Sequence, residues 1–264
     1  DSHNTGLATY LREYIRSTMN SREPERKSFW SEDQYNDALW RWENDPLYGW
    51  CQKNVKPDGT PYNLYRDGLR IYTTINSKMQ TYAEEALVEH LSENLQPVFD
   101  KRAKYYRNPP WSNDLTSAQV KQIMDRSVRQ SDRYQSMRRN GIPEDSITLA
   151  FNTPIPMKLF SWNGEVDTVM TPIDSIRYYK YFVRSSFMAM DPHTGQVKAY
   201  VGGPDFRYFK YDAVTRQKKQ VGSTIKPFLY TLAMQDGYSP CFEVENVARS
   251  FELPGDSVPW RPRS

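Results

Sequence analysis

The chain has 264 residues, of which 38% are hydrophobic and 14% aromatic, with 19 Tyr and 7 Trp, so it can build a core and is not compositionally disordered. Its formal net charge of +3 comes from 35 basic and 32 acidic residues spread along the sequence, which excludes the concentrated basic face that nucleic acid requires. No apolar run approaches the length of a membrane span, and two cysteines are too few for a disulfide scaffold or a structural zinc site.

Taken in order, Leu7, Leu11, Tyr14, Ile15 and Met19 recur at helical spacing and predict an amphipathic helix over 5–19. A helix so near residue 1, with no leader ahead of it, suggests a piece cut from something longer. Ser31-Glu32-Asp33-Gln34 has capping-box form and opens a second helix through about Trp42, which Asp45-Pro46 ends. Residues 45–67, with Pro46, Pro57, Asp58-Gly59 and Pro61 among aromatics, read as a turn-rich connection. Its aromatic set suits sugar binding, but packing of a long connection is the simpler explanation. Leu69–Ile75 alternates as a strand; Asn76 then caps a helix that places Met79, Ala83, Ala86, Leu87, His90, Leu91 and Leu95 on one face.

Residues 98–114 are basic and aromatic and end in Pro109-Pro110; Lys101, Arg102, Lys104 and Arg107 read as a solvated face. Thr116-Ser117-Ala118-Gln119 is another capping box, opening one helix that carries Val120, Ile123, Met124, Val128 and Tyr134 toward Gly141. Met157–Phe160 and Val166–Met170 flank Asn163-Gly164, a hairpin signal. Thr171-Pro172-Ile173-Asp174 supplies the cap, first-turn proline and first-turn acid of a helix through about Val183. Phe187–Met190 and Val197–Val201 then form a second hairpin around Asp191-Pro192-His193-Thr194-Gly195. The chain runs out in a proline-rich tail containing Leu253-Pro254-Gly255 and Pro259-Trp260-Arg261-Pro262.

The segment with chemical potential is Gly222-Ser223-Thr224-Ile225-Lys226-Pro227-Phe228. Ser223 and Lys226 stand at i and i+3, on one side of a helix. Gly222 suits a sharp entry, Pro227 fits only near the helix start, and Gly237 is a natural stop. Phe228, Leu229, Leu232 and Ala233 repeat at helical spacing, which predicts a short, largely buried helix with Ser223 at its positive end. A serine becomes a nucleophile when a neighbouring base takes its proton, and a lysine kept partly neutral can serve. Ser-x-x-Lys alone is a weak motif. The three histidines, His3, His90 and His193, are isolated, and His193 reads as an exposed turn residue. Cys51 and Cys241 read as two free thiols, with a single bridge the alternative in an oxidising compartment.

Three stretches together resemble the class A (bifunctional) penicillin-binding proteins: Phe187–Gly203 with its Asp191-Pro192-His193-Thr194-Gly195 turn and Ala199-Tyr200-Val201-Gly202-Gly203 end, Gln220–Phe228, and Leu69–Asn76 followed by Met79-Gln80 and Ala83-Glu84. The resemblance implies an α+β, transpeptidase-like (serine β-lactamase-like) fold, with an incomplete antiparallel sheet backed by the nucleophile helix and a helical linker ahead of it. It divides the chain into an interdomain linker (1–65), a strand and helix entering the transpeptidase region (66–97), an accessory insertion with a hairpin (98–185) and the N-terminal part of the transpeptidase domain (186–264).

The implied activity is peptidoglycan D,D-transpeptidation through an acyl-enzyme on Ser223, with Lys226 as proton acceptor and Gly222 supporting the turn and oxyanion site. Peptidoglycan stem peptides, β-lactams and envelope regulatory proteins are the implied partners, with no metal, no organic cofactor and no nucleic acid. The implied place is the extracytoplasmic face of the inner membrane, anchored through a segment outside this sequence. The family's Ser-x-Asn and Lys-Thr-Gly motifs do not follow Lys226, and no glycosyltransferase motif precedes the linker. Ser92-Glu93-Asn94 and Ser161-Trp162-Asn163 match the first pattern but lie upstream and read as coincidental. The expectation is therefore an inactive fragment of a wall-crosslinking enzyme. The competing readings are a serine β-lactamase or β-lactam sensor, and a non-catalytic envelope interaction module using exposed aromatics and the Arg-rich helix 116–139.

Overall fold

The apolar stripe near the start of the chain forms the expected helix. In the computed structural model, which describes residues 6–245, 247, 250–252 and 259–261, helix α1 runs Thr9–Met19 and buries Tyr10, Thr18 and Met19. His3, most of the tail Leu253-Pro254-Gly255 and Pro262 lie outside the described residues. Helix α2, Glu32–Asn44, starts where Ser31 Oγ accepts from Gln34 N at 3.3 Å and stops at Asp45. The connection that follows packs through its aromatics. Trp50, at the start of the short helix α3 (Trp50–Lys53), lies 5.1 Å from Tyr62, and the Lys53 ammonium sits 4.5 Å from the Trp42 ring. Cys51 is buried there, Cys241 is exposed, and both are free thiols.

Residues 69–75 depart from expectation: they form no strand ladder. Only Asn76 N–H reaches a strand carbonyl, Lys198 O at 2.9 Å, while Thr74 joins through its hydroxyl to Val197 O at 2.7 Å. The alternation is nonetheless real, because Leu69, Ile71, Thr73 and Ile75 line one groove together with Leu11 and Ile15 of α1. Helix α4, Ser77–Glu89, is capped by Asn76 Oδ1 on Met79 N at 3.1 Å. It does not end near Leu95, because a π turn over His90–Leu95 carries it into α5, Gln96–Ala103. Pro97 has no N–H to give the preceding turn, and widening that turn lets the helix continue past it.

The stretch expected as one helix over 116–139 is two. Thr116 and Gln119 form the reciprocal capping box of α6, Ser117–Gln130. Ser131 then leaves helical geometry (φ −70°, ψ 143°), and its hydroxyl accepts from Tyr134 N to cap α7, Asp132–Arg139. A further helix, α8 (Glu144–Asn152), has Glu144 and Asp145 in its first turn and buries Ile147 and Phe151. Strands β1 (Ile155–Ser161) and β2 (Gly164–Met170) pair antiparallel, with Ser161 opposite Gly164. The loop is thus Trp162-Asn163, one residue earlier than the Asn163-Gly164 signal, and Gly164 takes φ +110°. Helix α9, Pro172–Tyr179, has its Thr171 hydroxyl on Asp174 N at 3.1 Å.

Strands β3 (Phe187–Met190) and β4 (Val197–Val201) form a second two-stranded antiparallel sheet with a register shift at Ala189/Met190. Val201 packs on Leu87 and Leu91, with Ala83, Trp162 and Val183 around them. The architecture is mixed α and β with two small antiparallel sheets, consistent with a partial transpeptidase-like fold. Chain contacts separate two compact units, 1–217 and 218–264. In the second, a 3₁₀ turn over Gly222–Ile225 leads into helix α10, Lys226–Gln235. The expected burial of this helix does not hold: Phe228 is 73% exposed, and Leu229 and Leu232 are exposed as well. Among the described residues the unit offers no second apolar layer to cover them.

Candidate active site

Gly222 adopts φ +53°, where an L side chain is strained, and opens the turn bearing the serine. The turn is 3₁₀ rather than α: Thr224 N donates to Val221 O at 3.1 Å, and Lys226 N donates to Ser223 O. In that geometry residues i and i+3 eclipse, so Ser223 and Lys226 project from the same side. Both are exposed, and among the described residues neither their side chains nor the Ser223 amide has a hydrogen-bond partner. Pro227 falls in the first turn of α10, where its missing N–H costs nothing. Gly222, Ser223 and Lys226 are thus together on one turn, with a hydroxyl, an amine and a free amide donor open to an incoming carbonyl.

The hairpin preceding this segment is built around one carboxylate. Asp191 Oδ1 accepts from His193 N at 2.9 Å and Thr194 N at 3.1 Å, and those bonds hold its carboxyl below the ordinary carboxylate range. His193 is exposed in the turn, as expected. Inside the fold, Gln80 of α4 is fully buried and holds β4 by an amide-to-backbone pair: Tyr200 N donates to Gln80 Oε1 at 2.7 Å, and Gln80 Nε2 donates to Tyr200 O at 2.9 Å. The Tyr200 hydroxyl donates to Asp212 Oδ2 at 2.5 Å, and burial, assisted by Asp212, pushes its ionisation far up. Tyr10 lies against Gly202 and Gly203, and its hydroxyl donates to Phe209 O at 2.5 Å.

Gln80, Tyr10, Asp212 and Phe209 were not singled out for a role by sequence reasoning. Gln80 follows Met79 in a matched motif, and that adjacency was its one visible signal. The upstream Ser-x-Asn matches serve local structure: Ser92 Oγ donates to Glu89 O and Ser161 Oγ to Gly164 O. Among the described residues, no group of three or more His, Cys, Asp or Glu is placed to hold a metal, and no helix is long and apolar enough to cross a membrane.

Residues 106–183 match the family model of the penicillin-binding protein middle domain, and residues 185–248 that of the penicillin binding protein transpeptidase domain. Penicillin-binding protein 1A of Rickettsia typhi is 29% identical over 233 residues, covering 80% of this chain and 28% of that protein. Its namesakes in Rickettsia prowazekii (31% over 220 residues) and Escherichia coli (29% over 237 residues) each cover 76% of the chain and 27% of the relative. The crystal structure of penicillin-binding protein 1A from Haemophilus influenzae aligns over 90% of this chain and 39% of that one, at 18% identity and a TM-score of 0.39. Consecutive middle and transpeptidase matches define a penicillin-binding protein. The chain belongs to the class A members of that family, and it spans little more than a quarter of the length of these relatives, at 27–28%.

Proposed function

We propose that the protein containing this chain is a peptidoglycan D,D-transpeptidase of the cell envelope, acting at its extracytoplasmic face, and that Ser223 is its nucleophile. The Ser223 hydroxyl attacks the carbonyl of the penultimate D-Ala of a stem peptide while Lys226 takes its proton, and the terminal D-Ala leaves with a proton as the free amino acid. The ester on Ser223 then passes to an amine of a neighbouring strand, forming the crosslink and regenerating the hydroxyl. The Ser223 amide supplies one oxyanion donor, with Gly222 setting its turn. β-Lactams acylate the same oxygen. In this reading residues 186–264 begin the catalytic domain, 98–185 are an accessory region, 66–97 the entry and 1–65 the linker.

The observation that carries the reading is Gly222-Ser223-x-x-Lys226-Pro227 on one 3₁₀-to-α turn inside the segment that matches the transpeptidase model. The 264-residue chain alone carries no Ser-x-Asn or Lys-Thr-Gly after Lys226. Loss of one oxyanion donor costs on the order of 10²–10³ in rate, so the chain by itself is expected to be inactive. The test is labelling of the full-length protein by fluorescent penicillin. A long-lived adduct is expected, absent in Ser223→Ala and slowed by several orders of magnitude in Lys226→Ala, with near-UV circular dichroism unchanged in both. Labelling that survives Ser223→Ala overturns the assignment; rapid turnover of the adduct indicates a β-lactamase.

A further inference from the structure

The middle-domain match ends at residue 183 and the transpeptidase match begins at 185, yet both sides of that boundary lie in one compact unit, 1–217. The side chains show why. Phe209, on the transpeptidase side, is 3% exposed. Its ring centroid lies 5.1 Å from Phe160, 5.7 Å from Tyr179 and 5.8 Å from Phe182, all on the middle side. That socket is itself fixed: Tyr178 Oη donates to Phe160 O at 2.8 Å, and Phe160 N donates to Tyr179 Oη at 3.1 Å. Beside it Tyr208 stacks on Tyr179 at 6.3 Å, and Glu165 of β2 accepts from Arg207 Nη1 at 3.4 Å and from the Tyr208 hydroxyl.

A second apolar contact crosses the same boundary. Val201 of β4 packs on Leu87 and Leu91, and Trp162 and Val183 of the middle side close the cluster. Neither side has a closed core of its own. Without the middle region, Phe209 and Val201 lose their cover; without 185–217, Phe160 and Phe182 lose the ring that seals them. An element that cannot bury its apolar face by itself does not stand as a separate domain.

We propose that the middle region, 106–183, and residues 185–217 form one cooperative folding unit, with Phe209 in the Phe160–Tyr179–Phe182 socket as the docking contact. The middle region is then an internal partner of the opening of the transpeptidase region, not a module attached to it. This holds whichever residue is acylated. By linkage, whatever binds the folded form of one region stabilises both.

The test is native-state amide exchange of the full-length protein, under conditions where the rate follows the opening equilibrium. Two variants are compared with wild type: Phe209→Leu at the docking contact, and Ile147→Val away from it, in the buried face of α8 on the middle side. The slowest amides of β1, on the middle side, and of β4, on the transpeptidase side, are followed. Ile147→Val is expected to speed both strands by the same factor, about fivefold. Phe209→Leu is expected to speed both as well. Two separate domains would respond differently: Ile147→Val would speed β1 and leave β4 as in wild type, and that result overturns the proposal. So does a Phe209→Leu protein in which either strand exchanges as in wild type. Where Phe209→Leu does not fold, Ile147→Val alone decides.

Discussion

Gly202→Ala offers a demanding test of the packing around β4. A methyl built at Gly202 would lie 2.5 Å from Tyr10 Cδ1, 2.7 Å from Tyr10 Cγ and 2.8 Å from Asp212 Oδ1. Gly202 does not occupy the left-handed region, so the substitution carries no backbone penalty and its effect is steric. Neither neighbour can give way cheaply. Tyr10 is 6% exposed and tied to Phe209 O, and Asp212 is held by three hydrogen bonds. The cost therefore belongs in the upper part of the overpacking range, about 2–3 kcal/mol. For a unit of this size that corresponds to a fall of about 4–12 °C in Tm. Urea unfolding followed by tryptophan fluorescence measures it. Gly195→Ala is the control: Gly195 has φ +70° and open space around it, so only backbone strain of about 1 kcal/mol is expected. In the Gly202→Ala background, Tyr10→Ala should cost less than it does alone, because the collision has gone. A Gly202→Ala protein within about 0.5 kcal/mol of wild type, the ordinary spread of surface changes, refutes the reasoning.

Gln80→Leu leaves the buried N–H and C=O of Tyr200 without partners and should destabilise by about 2–6 kcal/mol in urea unfolding; a loss under about 1 kcal/mol would mean that α4 does not hold β4 in this way. The 187–201 hairpin should weaken in acid. Asp191 has a folded pKa below the unfolded value of about 3.9, so its stabilisation is complete above that value and is lost as pH falls through the folded one. Asp191→Asn keeps the acceptor oxygen and should flatten this dependence, read as amide exchange of the hairpin against pH. With a thiol-specific disulfide reagent under native conditions, Cys241 should react at once and Cys51 only after unfolding, since Cys51 is 0% exposed and burial pushes its thiol pKa up. Fast modification of Cys51 in Cys241→Ser and wild type alike would contradict the packing of 45–67.

What the amino-acid order discloses here depends on range. The caps at Ser31, Asn76, Thr116 and Thr171 all form where three-residue spacing places them, because each needs only its own first turn. The break at Ser131 was hidden inside a continuous apolar period, although a serine followed by aspartate is itself a cap signal. The alternation of 69–75 marks which side chains share a side, but a ladder requires a neighbour, and that is decided elsewhere in the chain. The Ser223–Lys226 spacing was legible for the same local reason as the caps. The burial of their helix was not, because burial is a property of what lies against it. Gln80 and Tyr10 stayed silent because their partners stand 120 and 199 residues away.

The π turn at His90–Leu95 sets the rotational phase of everything that follows it. Gln96, immediately after it, accepts from Val183 N and donates to Tyr181 O, joining this helix to the end of the middle region. Winding 90–95 as an ordinary α-helix with no residue removed would swing Gln96 by roughly 100°, about one residue's share of a helical turn. A lineage that dropped one codon here would return to ordinary winding with Gln96 still turned toward Tyr181 and Val183, so the extra residue and the π turn come and go together.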